Sequence, residues 1–132
     1  MLQRESLERY LARVEEKLKE LEPLISSSQI SIEHRSSNRV VLKGMIIFID
    51  GSSLHFLEYV LEEDNKLLRV SYRFHYIKQD GSLAFRYDNA PHHPELPTFP
   101  HHKHIPGNKV VSFSEKSLTD VLDEIREIIS RE

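Results

Sequence analysis

Three turn dipeptides, Asp50-Gly51, Asp64-Asn65 and Asp80-Gly81, cut the middle of this chain into short segments, and few folds other than an antiparallel meander accommodate that punctuation. The segments between them read as strands. Residues 29–35 alternate Ile30 and Ile32 with polar neighbours, and residues 40–49 are almost continuously apolar, as a central strand should be. Further strands are predicted over residues 54–61, 67–77 and 83–88, with a short one over 110–113. Two helices bracket this array. Leu7, Leu11, Val14, Leu18 and Leu21 recur at helical spacing and predict an amphipathic helix over residues 3–22, stopped by Pro23. Leu118, Val121, Leu122, Ile125, Ile128 and Ile129 predict a second over 118–131, with Ser117 as its N-cap and Asp120 three residues on. The expected architecture is a single α+β domain over residues 1–132. It is an antiparallel β-meander sheet of about five to six strands flanked by an N-terminal and a C-terminal helix, which cover one face of the sheet.

Composition removes several function classes. No apolar run approaches the roughly 18 residues needed to cross a bilayer, and the charged start MLQRESLERY has no apolar signal core. The chain has no Cys, which excludes disulfides, a thiolate zinc site and a cysteine nucleophile. An intracellular, cytoplasmic protein is expected, with no membrane partner. Only four glycines are present, and none forms a phosphate-binding loop or dinucleotide fingerprint; HExxH is also absent. Ser26–Ser28 and Ser52–Ser53 read as loop and turn residues without nucleophile context.

The formal charge is −3, but it is unevenly spread. Residues 69–110 carry six basic and three acidic side chains, so this segment is +3 and the remainder −6. A local positive patch on an acidic body can bind phosphate while the remainder discourages nonspecific adhesion. The same region is dense in histidine. Residues 72–104 hold six of the eight histidines, and five of the six prolines fall between residues 91 and 106. Histidine titrates near neutrality and is the commonest metal ligand, so a chemical or ligand site is expected here.

If Asp80-Gly81 closes a two-residue hairpin, His75 faces Arg86 and Arg73 faces Asp88 on one side, while Phe74 faces Tyr87 and Tyr76 faces Phe85 on the other. If Asp64-Asn65 does the same, Glu58 opposes Ser71 and Phe56 opposes Arg73. Glu58, Arg73, His75, Arg86 and Asp88 would then share one sheet face, a set suited to an anionic substrate. Tyr72, Phe74, Tyr76, Phe85 and Tyr87 read as core beneath the helices, a base-stacking platform being the alternative. One extra residue in either turn would flip a strand's faces.

In the loop, His92 and His93 precede His101, His102 and His104, the last two projecting to one side of an extended segment. Three imidazoles with an open position would suit a divalent metal. The favoured expectation is nevertheless metal-free acid/base chemistry, with no resident cofactor.

The runs YRFHY (72–76), FRYDNAPHH (85–93) and TFPHHKH (98–104) together resemble the TumE-like proteins, toxin components of prokaryotic type II toxin–antitoxin modules. The resemblance covers most of the chain and is sharpest over 72–104. It implies a small cytoplasmic toxin whose cognate antitoxin is a separate helix-turn-helix protein; it assigns no catalytic residue. Combined with the basic, histidine-rich segment, it leads to the expectation of a metal-independent endoribonuclease. His75 or a loop histidine (His102, His104) would serve as general base and acid, and Arg73 and Arg86 would stabilise the phosphate. Glu58 and Asp88 would orient these groups. Tyr87, Asn89, His92, His93, His101 and Lys103 would line the RNA-binding surface. One rival is a metal-dependent nuclease or phosphohydrolase holding a divalent ion through His93, His102, His104 and Asp88. Others are a binding module without turnover and a group-transfer enzyme. Exposed parts of the N-terminal helix are available to an antitoxin or to a homodimer partner.

Overall fold

The computed structural model describes residues 3–132. Helix α1 (Leu7–Leu21) begins where the Ser6 hydroxyl accepts a hydrogen bond from the Arg9 backbone N–H at 3.1 Å. It starts at Leu7 rather than at residue 3 because Gln3–Arg4 (β1) pair with Leu67 and Lys66 instead. Pro23 lies in a single 3₁₀ turn (Glu22–Leu24) that ends the helix.

Seven antiparallel strands then follow in chain order: β2 (Ile25–Ser36), β3 (Arg39–Phe48), β4 (Ser53–Glu63), β5 (Lys66–Ile77), β6 (Leu83–Asp88), β7 (His102–Ile105) and β8 (Lys109–Ser112). Helix α2 (Leu118–Ser130) closes the chain, and Ser117 and Asp120 form a reciprocal capping box at its start. The meander thus has one strand more than the upper figure expected. The addition is β7, since a run of histidines and lysine carries no β-branched or aromatic signal. Its strand state comes from pairing with β6 and β8. Gly44 has a steric reason: a Cβ there would lie 2.3 Å from the Gln29 carbonyl oxygen on β2.

Both helices cover one face of the sheet. Tyr72, Phe74, Tyr76, Phe85 and Tyr87 pack there with Leu118, Val121, Leu122 and Ile125, so the expected aromatic core is the core. No helix among the described residues is long and apolar enough to cross a membrane.

Two bulges decide which residues reach the other, open face. Between β4 and β5, Asp64 and Asn65 both take positive φ (52° and 59°) in a two-residue turn, and the expected register holds from Glu63↔Lys66 to Val60↔Arg69. The ladder then slips at Val70, so Tyr59 pairs with Ser71 and Glu58 with Tyr72. The expected Glu58–Ser71 and Phe56–Arg73 pairs are therefore absent. Between β5 and β6 the Lys78 N–H donates to the Ser82 carbonyl at 2.9 Å, which leaves Gln79, Asp80 and Gly81 in the loop. This turn is one residue longer than expected. A second irregularity between Tyr76 and Ile77 compensates, and His75↔Arg86 and Arg73↔Asp88 pair as anticipated.

Candidate active site on the open face of the sheet

Strand alternation builds the site in two rows. Arg73, Asp88 and His102 pair laterally across β5, β6 and β7, and one step along the strands His75, Arg86 and His104 do the same. All six side chains project away from the helices. Because the rows lie on paired strands, backbone hydrogen bonding holds the groups in place.

Asp88 is the centre of the first cluster and is 5% exposed. One carboxylate oxygen accepts from the Ala90 N–H at 3.1 Å and lies 2.7 Å from His102 Nε2. The other accepts from Arg86 Nε at 3.1 Å and lies 3.5 Å from His104 Nε2. His102, itself 2% exposed, has its Nδ1 2.9 Å from the Pro100 carbonyl oxygen. A carbonyl can only accept, so Nδ1 carries a proton and Nε2 is the nitrogen turned to Asp88. Arg86 also reaches His104, Nη2 to Nε2 at 2.9 Å. His93, held at φ 59°, brings its ring to 5.3 Å from His102 and 6.1 Å from His104. These groups line a cleft of about 340 Å³, with His92 at its rim.

A second cleft adjoins it, lined by His55, Leu57, His75, Arg73 and Arg86. Arg73 and Arg86 border both clefts. His55 pairs with His75, their ring centroids 6.5 Å apart. Burial lowers the His75 pKa from its usual value, and Arg86, His55 and Arg73 lower it further. Burial and Arg86 likewise lower His104, against the opposing pull of Asp88. A lowered imidazole is neutral at physiological pH and able to accept a proton.

Several expected site residues lie elsewhere. Glu58 is fully buried on the helix-covered face, because it alternates with Leu54, Phe56 and Val60 along the unbulged β4, while the slip at Val70 turns Arg73 and His75 of β5 to the opposite face. There it accepts from Tyr10 Oη at 2.5 Å, Arg69 Nε at 2.6 Å and the Leu118 N–H at 3.2 Å. Burial pushes its carboxyl above the usual range, and Arg69 only partly offsets that. Tyr87 and Lys103 also alternate onto the covered face. The Tyr87 hydroxyl donates to Glu124, and the Lys103 ammonium lies 4.8 Å from the Tyr87 ring centroid and 3.7 Å from Glu124. His101 precedes β7 and turns opposite to His102, stacking on Tyr72 with its Nδ1 2.9 Å from the tyrosine oxygen. Asn89 borders the first cleft, but its side chain serves the bulge: its Oδ1 accepts from the Tyr72 N–H and its Nδ2 donates to the Val70 carbonyl.

Sequence reasoning missed His55, which lies outside the histidine-rich segment. The expected register would have set it opposite Phe74, and only the bulge aligns it with His75.

The family model described as "Toxin TumE" matches residues 12–129, nearly the whole chain. No curated protein and no solved structure matches it. The chain belongs to the TumE toxin family.

Proposed function

We propose that this member of the TumE toxin family is a metal-independent endoribonuclease acting on the open face of its sheet. One observation carries the reading: His75, Arg86 and His104 stand in one row on three adjacent strands, so two imidazoles flank a guanidinium. Strands lie about 4.8 Å apart, which separates the two histidines by about 9–10 Å at the backbone. An in-line displacement needs roughly that span when a base and an acid each reach an apical oxygen at about 2.6–3.2 Å.

A phosphodiester seats on Arg86 and Arg73, with its flanking nucleotides in the two clefts those arginines divide. Neutral His75 takes the proton of the ribose 2′-hydroxyl, and the 2′-oxygen attacks phosphorus. In the free protein His104 is neutral and its Nε2 accepts from Arg86. The bound phosphate draws the guanidinium away and, with Asp88, favours the imidazolium, so Nε2 takes up a proton from solvent and delivers it to the departing 5′-oxygen. The products are a 2′,3′-cyclic phosphate and a 5′-hydroxyl. Arg73 and Arg86 stabilise the charge that builds on the non-bridging oxygens. His102 and Asp88 are positioning residues for Arg86 and His104.

The antitoxin is a separate protein in this reading. Among the described residues α1 and α2 are separated in sequence by the whole sheet and do not form a helix-turn-helix. The test is incubation of purified protein with defined RNA in EDTA, followed by analysis of the product ends. Cleavage leaving cyclic phosphate, lost in His75→Ala, supports the reading. Cleavage that needs an added ion, or that leaves 5′-phosphate, overturns it.

A further inference from the structure

We infer that the Asp88–His102–His104 cluster is a binding site for one divalent transition-metal ion of the zinc, cobalt or nickel class, and that the bound ion silences the toxin. One donor atom from each of the three residues lies within 4.8 Å of the others. That spacing lets them converge on a single ion with modest side-chain adjustment. Two features go beyond proximity. His102 donates its Nδ1 proton to the Pro100 carbonyl, the arrangement that fixes the tautomer of metal-bound histidines and leaves Nε2 facing the ion. In addition, His102 and Asp88 are buried on paired strands, so two of the three donors are held in place before any ion arrives.

The donor set selects the ion. Two imidazoles and one carboxylate suit borderline divalent ions over magnesium, which prefers all-oxygen shells and keeps its waters. Three protein donors leave a fourth tetrahedral position to water or to the neighbouring His93. The opposing term is Arg86, which donates to both Asp88 and His104 and brings positive charge to the same atoms. The guanidinium must turn away for an ion to enter, and its removal should tighten binding.

Binding stands on this geometry alone, whereas silencing rests on the role given to His104 above. An ion on His104 Nε2 holds the lone pair that must carry the leaving-group proton, and it displaces Arg86 from its place beneath the phosphate.

Calorimetry on the chelator-stripped full chain with zinc, and visible absorption with cobalt, read binding directly. One ion per chain is expected. Affinity should fall at least tenfold in His104→Ala and in His102→Gln and rise in Arg86→Gln, with magnesium giving no signal. Urea midpoints for each variant distinguish lost ligands from lost fold. No uptake, or uptake unchanged in both histidine variants, overturns the site. RNA cleavage is measured in parallel: inhibition at one equivalent of zinc supports silencing, and stimulation overturns it. A protein that binds one ion through these residues yet never cleaves RNA without it keeps the site and overturns the acid/base reading.

Discussion

The sheet carries an ionic cluster on each face, and the two differ in saturation. On the covered face, Glu58 and Arg69 are 0% and 3% exposed, and the Glu58 oxygens are already occupied by Tyr10, Arg69 and the first N–H of α2. The Glu58 carboxylate has no oxygen left for a ligand and solvent does not reach it; the cluster ties α1, the sheet and α2 together. On the open face, Arg73 is exposed, and His75, Arg86 and His104 are half-buried beside two clefts. Their hydrogen bonds leave directions free for a ligand. Similar residue types thus hold the fold on one side and present chemistry on the other, and the bulge at Val70 sends Arg69 to the first side and Arg73 to the second.

The sharpest test of this division removes one group from each face. His75→Ala should lower kcat for RNA cleavage by about 10²–10⁴, with a urea midpoint close to that of the wild type. Arg69→Met should do the reverse. It strands a buried carboxylate and costs about 3–5 kcal/mol of stability, while the protein that remains folded keeps its turnover. If Arg69→Met abolishes cleavage at unchanged stability, the two faces are not functionally separate.

A smaller effect is expected at the junction of α2 with the covered cluster. Ser117→Ala removes the capping hydroxyl that accepts from Asp120 N, at a cost of about 0.5–2 kcal/mol, read as a lower midpoint without a change in kcat. The smallest effect is in pH. His75 must be neutral to accept a proton, and its folded pKa lies below the ordinary 6.5. The acidic limb of kcat/KM, which reports the free enzyme, should therefore fall below pH 6.5. Activity is present above the lowered value and is lost as pH drops through it. His55→Gln removes a neighbour that lowers His75, so the limb should move to higher pH. A limb unmoved in that variant would assign it to another group.

Much of this was legible in the residues. Apolar periodicity located both helices, the alternation of Ile30 and Ile32 located β2, and the three turn dipeptides located the next four strands, β3 to β6. The pairing of His75 with Arg86 and of Arg73 with Asp88 was also readable, although the turn behind it is a residue longer than Asp80-Gly81 suggests and a bulge restores the register. A bulge has no strong sequence signature. That at Val70 consequently hid two facts together, the placement of Arg73 and His75 on the face opposite Glu58 and the alignment of His55 with His75. Strand β7 was hidden for a different reason. His102, Lys103 and His104 have weak strand propensity and pair only because β6 and β8 offer edges, and that pairing turns Lys103 inward while raising His102 and His104 into the site.

The central claim is that the open face cleaves RNA by using the substrate's own 2′-hydroxyl. It is tested most directly by single-turnover incubation in EDTA of two oligonucleotides of one sequence, one RNA and one DNA. The RNA should be cut to a cyclic phosphate end and the DNA should remain intact. Equal cleavage of both would contradict the account, because a base acting on the 2′-hydroxyl has nothing to deprotonate in DNA.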